Sequence, residues 1–171
     1  MDNAIALIEK TIEEHKTYLD RLKTMNDVAN DVEALRSLDK AQEAFVPGRL
    51  DAKAGLARLA ELLDFIEHGL EAHFNREERA LLDIFEKHGN KEMMDGFNSL
   101  LLEHGDLRNR IVQTRELVQK LTGGGLSGSQ WQATANDLRA HISHTEKLLE
   151  AHADVEQELF ASLRNRLEFG K

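Results

Sequence analysis

The chain has 171 residues, of which 41% are apolar, and this is enough for one domain with a hydrophobic core. Acidic residues outnumber basic ones by 31 to 22, so the net charge is −9, and such a surface argues against nucleic acid and against an anionic membrane as partners. The absence of cysteine excludes disulfides, thiolate metal ligands and a cysteine nucleophile. Because the N-terminus becomes charged too early for a signal peptide and no apolar run could span a bilayer, we expect a soluble cytoplasmic protein.

Helices are the predicted elements throughout, because the chain is rich in Ala, Leu, Glu, Lys, Arg and Gln and has one Pro. Apolar residues at helical spacing predict four helices. The first runs from the N-terminus to about Met25, and residues 32–46 are predicted to form its tail and a long connection. The other three run approximately from Asp51 to a cap at Gly89, from Lys91 to Leu121, and from Ser129 to Arg166. Short connections favour antiparallel neighbours, so we predict one all-α domain over residues 1–171, folded as an antiparallel up-down four-helix bundle.

A repeated string marks the second and fourth predicted helices. Leu-Glu-Ala-His occurs twice, and each copy has a Glu four residues after its His, which gives the pairs His73/Glu77 and His152/Glu156. Residues four apart lie on the same face of a helix, so each pair presents an imidazole beside a carboxylate. Either pair alone is also explained as an ordinary surface contact between neighbouring turns.

A second repeat marks the first and third helices, where Glu14-His15 aligns with Glu103-His104. The chain therefore resembles a duplicated helix pair, in which each half contributes one His and one His-x-x-x-Glu. Repetition could record duplication alone, so the heights of these residues along the bundle provide the test.

Heights can be compared because a helix rises about 1.5 Å per residue, which places residues equidistant from a turn at the same level on antiparallel neighbours. The midpoints between successive His fall at residue 44, between residues 88 and 89, and at residue 128, each inside a predicted connection. The sequence therefore predicts that six side chains share one layer: His15, His73, Glu77, His104, His152 and Glu156.

This set of side chains predicts a metal site. Imidazole nitrogens and carboxylate oxygens without sulfur suit iron, manganese or zinc, and six ligands are too many for one tetrahedral zinc. Two metal ions fit, with two His on each and both Glu bridging them, and an oxo or hydroxo bridge would leave an open position for oxygen, peroxide or nitric oxide. A single His on the apolar face of a helix is more often a core residue than a metal ligand. Six side chains of ligand type in one layer nevertheless favour a metal site.

The order of these motifs on four helices resembles the hemerythrin-like (HHE cation-binding) domain, over the stretch from about Ile5 to Leu163. The resemblance implies a non-haem di-iron centre, in which two iron ions with a bridging oxo or hydroxo group take the six side chains of the layer as ligands. The family includes oxygen carriers, sensors of oxygen, iron or redox state, and proteins that repair iron centres.

Two positions depart from the oxygen-carrying hemerythrins. Those carriers have a second His four residues after the third-helix His, where this chain has Arg108. They also have His-x-x-x-x-Asp on the last helix, for which the nearest match is His141 with Glu146, a rival to His152/Glu156. The four-His, two-Glu set is closer to the iron-centre-repair proteins, although those usually carry a further N-terminal domain with cysteines.

Several other residues have two interpretations. His68, His141 and His144 could form an outer shell, a proton path or a staging site for metal, but half-buried or solvated helix positions are the commoner case. Tyr18 could donate a hydrogen bond near the metals or pack in the core. Trp131 is predicted to be a core or interface anchor.

The predicted function is that of a binding protein, which holds iron and binds dioxygen or another small diatomic or peroxide ligand, in oxygen, iron or redox sensing or in storage. The alternative is a di-iron enzyme that acts on peroxide, nitric oxide or ferrous iron, including iron-centre repair. A purely structural bundle is disfavoured by the six-residue layer. No phosphate loop or nucleophile motif adds a dedicated substrate site.

Overall fold

The computed structural model describes residues 2–41 and 52–170, and within these residues every regular element is helical. The described residues form four helices, of which the second is interrupted by a π-helical turn and so consists of α2, the π turn and α3. The bounds are α1 Asp2–Ala41, α2 Ala52–Arg76, the π turn Glu77–Leu81, α3 Leu82–His88, α4 Lys91–Thr122 and α5 Gly128–Phe169. The prediction of an all-α four-helix fold is confirmed. Over the described ranges, no helix is long and apolar enough to cross a membrane.

The helix ends follow from capping residues close to the predicted bounds. Helix α4 begins after Asn90, whose side chain accepts a hydrogen bond from the Met93 backbone N–H at 2.9 Å. Helix α5 begins after Ser127, which forms a reciprocal capping box with Gln130. Gly89 ends α3 as predicted, with an extended backbone.

The first helix is longer than its apolar stripe indicated. It continues to Ala41, so the predicted tail is helical as far as that residue, while residues 42–46 lie outside the described part of the chain. The expected start of the second helix at Asp51 also lies outside it, and α2 is described from Ala52.

Neighbouring helices run antiparallel, because contacts that advance along one helix recede along the next. Arg108 and then Arg115 of α4 pair with Glu71 and then Asp64 of α2, in reverse chain order. Reversed contacts of the same kind join α1 to α2, α1 to α5 and α4 to α5. The four helices therefore close into a ring around one axis.

The core consists of two apolar clusters that are separated along this axis. The larger contains Trp131, a buried core anchor as predicted, whose indole N–H donates to the Leu121 carbonyl at 3.3 Å. The smaller is built around three phenylalanine rings, where Phe85 and Phe97 stack with 4.2 Å between centroids and Phe160 lies beside them. In every helix the predicted ligand layer lies between the two clusters, so apolar side chains cover it from both ends.

The π turn keeps the second helix facing the core. His73, Glu77, Leu81 and Phe85 are each four residues apart, and all four are buried. A regular α-helix turns about 400° over four residues, so a run with this spacing drifts around the helix by about 40° at each step. The π turn is wider and accommodates one additional residue, which cancels much of the drift.

The fourth helix has no such turn within its described length. After Glu156 its buried residues are Phe160, Leu163 and Leu167, so a spacing of three follows the first spacing of four. The two halves of the chain therefore match residue for residue only as far as Leu81, which corresponds to Phe160. Beyond that point the first half contains one residue more.

Replacing Phe160 by Ala should lower the free energy of unfolding by about 3–5 kcal/mol, because the ring is fully buried in the smaller cluster and leaves a cavity. Urea denaturation of the metal-free protein, followed by circular dichroism, measures the loss. Leu102→Ala is the control, since Leu102 is 80% exposed, and its effect should stay within about 0.5 kcal/mol. Equal losses in both variants would contradict the described core.

Candidate metal centre

The six predicted ligand side chains meet in one layer between the apolar clusters. They come from all four helices: His15 from α1, His73 from α2, Glu77 from the π turn, His104 from α4, and His152 and Glu156 from α5. None of the six residues is more than 4% exposed. The constant rise per residue of antiparallel helices accounts for their common level.

Glu77 faces one imidazole from each of two helices. Its Oε1 atom lies 2.8 Å from Nε2 of His73, and its Oε2 atom lies 3.1 Å from Nε2 of His104. His73 and Glu77 lie on consecutive turns of the second helix, whereas His104 reaches the carboxylate from α4. We call His73, Glu77 and His104 the first edge of the layer.

Glu156 has the same relation to the other two imidazoles. Its Oε2 atom lies 2.9 Å from Nε2 of His15 and 3.5 Å from Nε2 of His152. We call His15, Glu156 and His152 the second edge. The two edges come close where the Nε2 atoms of His15 and His73 are 2.8 Å apart.

Two groups of ligand atoms could each hold a metal ion, and within each group the atoms lie within 4.8 Å of one another. Glu77 belongs to both groups, which is where a bridging carboxylate would lie. The groups are His15, His73, Glu77 and Glu156, and Glu77, His104 and His152.

The nitrogen and oxygen atoms that face the interior of the layer are better suited to bind a cation than to hydrogen-bond with one another. Among the described residues, five buried ligand atoms of the layer have no hydrogen-bond partner: Glu77 Oε1, His104 Nε2, His152 Nε2, and Oε1 and Oε2 of Glu156. Buried polar groups of folded proteins are nearly always hydrogen-bonded, so five in one layer require an explanation. Lone pairs on nitrogen and oxygen repel at these distances unless a proton or a metal cation lies between them, and metal ions bound in the two groups would satisfy all five.

Burial limits the positive charge that the layer itself can supply. Burial and the neighbouring His73 ring lower the pKa of His15 to about 3, and burial also lowers the pKa of His152, so both rings are neutral at physiological pH. Burial and the adjacent Glu77 carboxylate raise the pKa of Glu156 well above its ordinary value of 4.5. Among the described residues, no Lys or Arg contacts either carboxylate.

Outer carboxylates orient the ligand rings. An ionised carboxylate can only accept, so the Nδ1–H group of His73 donates to Glu14 at 3.1 Å and that of His152 donates to Glu103 at 2.8 Å. Each of these Glu residues directly precedes a ligand His on the neighbouring helix, so both residues of the Glu-His repeat contribute to the layer. A ring with Nδ1–H directed outward presents the Nε2 lone pair to the interior, as a metal ligand requires.

Glu78 orients a third ring. Its Oε1 atom accepts from the Nδ1–H of His104 at 2.9 Å and from Nη1 of Arg108 at 2.8 Å. Arg108 also donates to Glu71 at 2.8 Å, and its guanidinium lies 5.1 Å from the centre of the Phe74 ring, which stacks on His104 at 4.0 Å. The Arg that stands where oxygen carriers have a second His therefore supports a ligand from outside the layer.

These outer carboxylates were not predicted. For Glu14 and Glu103 a signal was present, because the repeat contains Glu and His together, but only the His was assigned a role. For Glu78 the sequence has no comparable signal. Its direction depends on the π turn, which the apolar spacing did not predict.

The rival pair on the last helix lies outside the layer. The Nε2 atom of His141 is 3.0 Å from the Arg110 backbone carbonyl, and Glu146 accepts a hydrogen bond from the Asn26 side chain at 3.2 Å. Neither residue belongs to a group that could hold a metal ion among the described residues.

The remaining candidates also lie apart from the ligand atoms. His68 and His144 are exposed and belong to neither group within the described ranges. Tyr18 is buried, its ring centre is 5.4 Å from that of His73, and its hydroxyl donates to the Gly69 carbonyl at 3.0 Å. Tyr18 therefore packs against a ligand ring and bonds the backbone.

The fold and the layer together define a class of protein, a helical bundle with His and Glu groups at its centre that could bind metal. The family model described as the hemerythrin HHE cation binding domain matches residues 6–163, nearly the whole chain. The chain belongs to this family, which confirms the resemblance seen in the sequence. No curated protein and no solved structure matches the chain.

Replacing Glu156 by Gln should stabilise the metal-free protein near neutral pH. The pKa of Glu156 is raised above 4.5 by folding, so its ionisation costs the folded state stability as the pH rises above 4.5, and Gln removes this loss while keeping the shape. Urea denaturation at neutral pH and again below pH 4.5 measures the effect. The gain should be present at neutral pH and absent in acid.

Glu150→Gln is the matched control, since Glu150 is exposed on the same helix. It should change the free energy of unfolding little at either pH. A Glu156→Gln variant that loses stability at neutral pH, or that gains no more than the control, would contradict the described burial of two adjacent carboxylates.

Proposed function

We propose that residues 1–171 form one domain that binds two iron ions as a bridged non-haem di-iron centre, and that this centre binds dioxygen or a related small ligand in sensing or storage. The proposed ligands are His15, His73, Glu77, His104, His152 and Glu156. One observation carries the proposal: in the described part of the chain, five buried nitrogen and oxygen atoms lack hydrogen-bond partners where two carboxylates each face imidazoles from two helices.

The chemistry of the donor set supports iron. Four imidazole nitrogens and two carboxylates without sulfur suit an intermediate first-row metal. The placement of Glu77 and Glu156, each between Nε2 atoms of two rings, suits them to join two ions. When bound, the iron pair would supply one-electron redox chemistry and the capacity to bind a small ligand.

The enclosure of the layer supports a small ligand over an organic substrate. Its six side chains are buried, and the two apolar clusters cover it from both ends of the bundle. Phe74 stacks on the His104 ring and closes the position beside it. A diatomic molecule or a peroxide is of the size that such an enclosed position can accept.

The double variant Glu77→Ala/Glu156→Ala should lose iron while it keeps most of its helical content. Both carboxylates that face two rings are removed, but the apolar clusters that hold the helices together are unchanged. The iron content after anaerobic loading and gel filtration measures the first effect, and circular dichroism measures the second.

The matched control is Glu13→Ala/Glu150→Ala, which removes two exposed carboxylates from α1 and α5. It should bind as much iron as the unaltered protein, which we expect to hold two ions per chain. A full iron content in the Glu77→Ala/Glu156→Ala variant would show that the ligand assignment is wrong.

Reaction with oxygen separates the functions that an iron centre could serve. The protein is loaded anaerobically with ferrous iron, freed of excess, and exposed to oxygen while the visible charge-transfer bands are recorded. Bands that appear and then vanish under argon indicate reversible oxygen binding. Bands that persist indicate oxidation to a stable ferric centre, as in a sensor, a store or an enzyme. No bands and no bound iron would refute the proposal.

A further inference from the structure

The two edges of the layer differ in what holds their rings from outside. On the first edge, the carboxylate that orients His73 is itself paired with an arginine. Glu14 accepts from His73 and also from the Arg76 guanidinium, and the Glu14 side chain is only 19% exposed. The ring, the carboxylate and the guanidinium therefore form one connected chain.

The other ring of the first edge has the same arrangement. Glu78 accepts from His104 and from Arg108, and Arg108 is fixed in turn by Glu71 and by the face of Phe74. Charge-assisted hydrogen bonds of this kind hold the acceptor in one position. Both rings of the first edge are thus fixed in rotation and in tautomer.

The second edge has no such arginine among the described residues. His152 donates to Glu103, whose side chain is 54% exposed and has no Lys or Arg within ion-pair distance in that part of the chain. Among the described residues, His15 contacts polar partners only through its Nε2 atom, so no carboxylate there accepts a hydrogen bond from its Nδ1 atom. The distance from Glu156 to His152, 3.5 Å, is also the longest between a carboxylate oxygen and a facing ring nitrogen of the layer.

The difference in support between the two edges corresponds to a difference at one aligned position of the two halves. Arg76 comes three residues after the His of the first Leu-Glu-Ala-His string, and Val155 comes three residues after the His of the second. Val155 is 55% exposed, so the position is open to a longer side chain. The first half therefore supplies a guanidinium where the second half has an apolar residue.

We propose that Arg76 and Arg108, acting through Glu14 and Glu78, are positioning residues that fix the first edge of the layer, and that the second edge is the one that opens when a metal ion enters or leaves. The inference rests on the proposed function, because it concerns the metal that the layer would hold. The physical reason is competition with water.

Water competes for an exposed, unpaired carboxylate, and it competes far less for one held by a guanidinium. Glu103 therefore restrains His152 less than Glu14 restrains His73, and the His152 ring can rotate away from the layer at lower cost. Each metal-binding group contains one ring of each edge, so both ions would keep a fixed ligand while the second ligand moves.

A reciprocal exchange between the halves tests this proposal. Val155→Arg places a guanidinium where Glu103 can accept from it, and should slow the release of one of two ferrous ions to a chromogenic chelator on the order of 10-fold. Arg76→Val removes the corresponding group from Glu14, and should speed the release of the other ion by a similar factor. Release is followed anaerobically with the full iron-loaded chain.

A second readout uses the metal-free protein. The Nδ1–H protons of the ligand rings, observed by NMR, should exchange with water slowly for His73 and His104 and faster for His152. Val155→Arg should slow the exchange at His152, and Arg76→Val should speed it at His73. A merely structural effect would change the thermal midpoint without moving these individual protons.

Phe169→Arg and Arg58→Val are the controls, since they add and remove a guanidinium at exposed positions that contact neither Glu14 nor Glu103. They should leave release and ring-proton exchange unchanged. The inference is overturned if the unaltered protein binds two ions but neither exchange variant alters release, or if the three ring protons exchange alike. If the unaltered protein binds no iron, the proposed function fails, and the ring protons still decide whether the edges are held unequally.

Discussion

Two carboxylates buried side by side among imidazoles are the constraint on which the rest of the structure depends. An apolar interior penalises such charges unless an opposite charge lies beside them. Within the described ranges no Lys or Arg contacts Glu77 or Glu156, and burial lowers the pKa of His15 and of His152, so the side chains beside the two carboxylates supply little positive charge, which a bound cation would provide. The apolar clusters on both sides hold the helices together and so keep the carboxylates facing the rings.

Support for the layer extends outward in steps. A ligand ring donates to a carboxylate, and for His73 and His104 that carboxylate is paired with an arginine at the surface of the bundle. Positive charge is thus placed outside the layer, where it orients acceptors without competing for the ligand oxygens. The net charge of −9 has a related effect, because an acidic surface raises the local concentration of cations.

The height of each ligand could be predicted from the sequence, because helix rise and the positions of the turns fix it with little dependence on packing. His141 precedes His152 by 11 residues, or about 16 Å of helix, and this separates the rival pair from the layer. The contacts that a side chain makes perpendicular to the helix axis, with neighbouring helices, could not be predicted in the same way. The partners of Glu14 and Glu103 depend on how far each helix is rotated about its axis, and that of Glu78 depends on a local change of helix type.

The π turn has a consequence for how such a chain can diverge. Two copies of a helix pair begin with identical surroundings for both halves of their shared centre. One additional residue after the first His-x-x-x-Glu leaves both ligands in place, since Glu77 is the first residue of the turn. It directs Glu78 toward α4, while the corresponding Gln157 stays exposed in α5. A difference of one residue between the halves therefore accompanies different outer residues, although the ligands of the two halves stay alike.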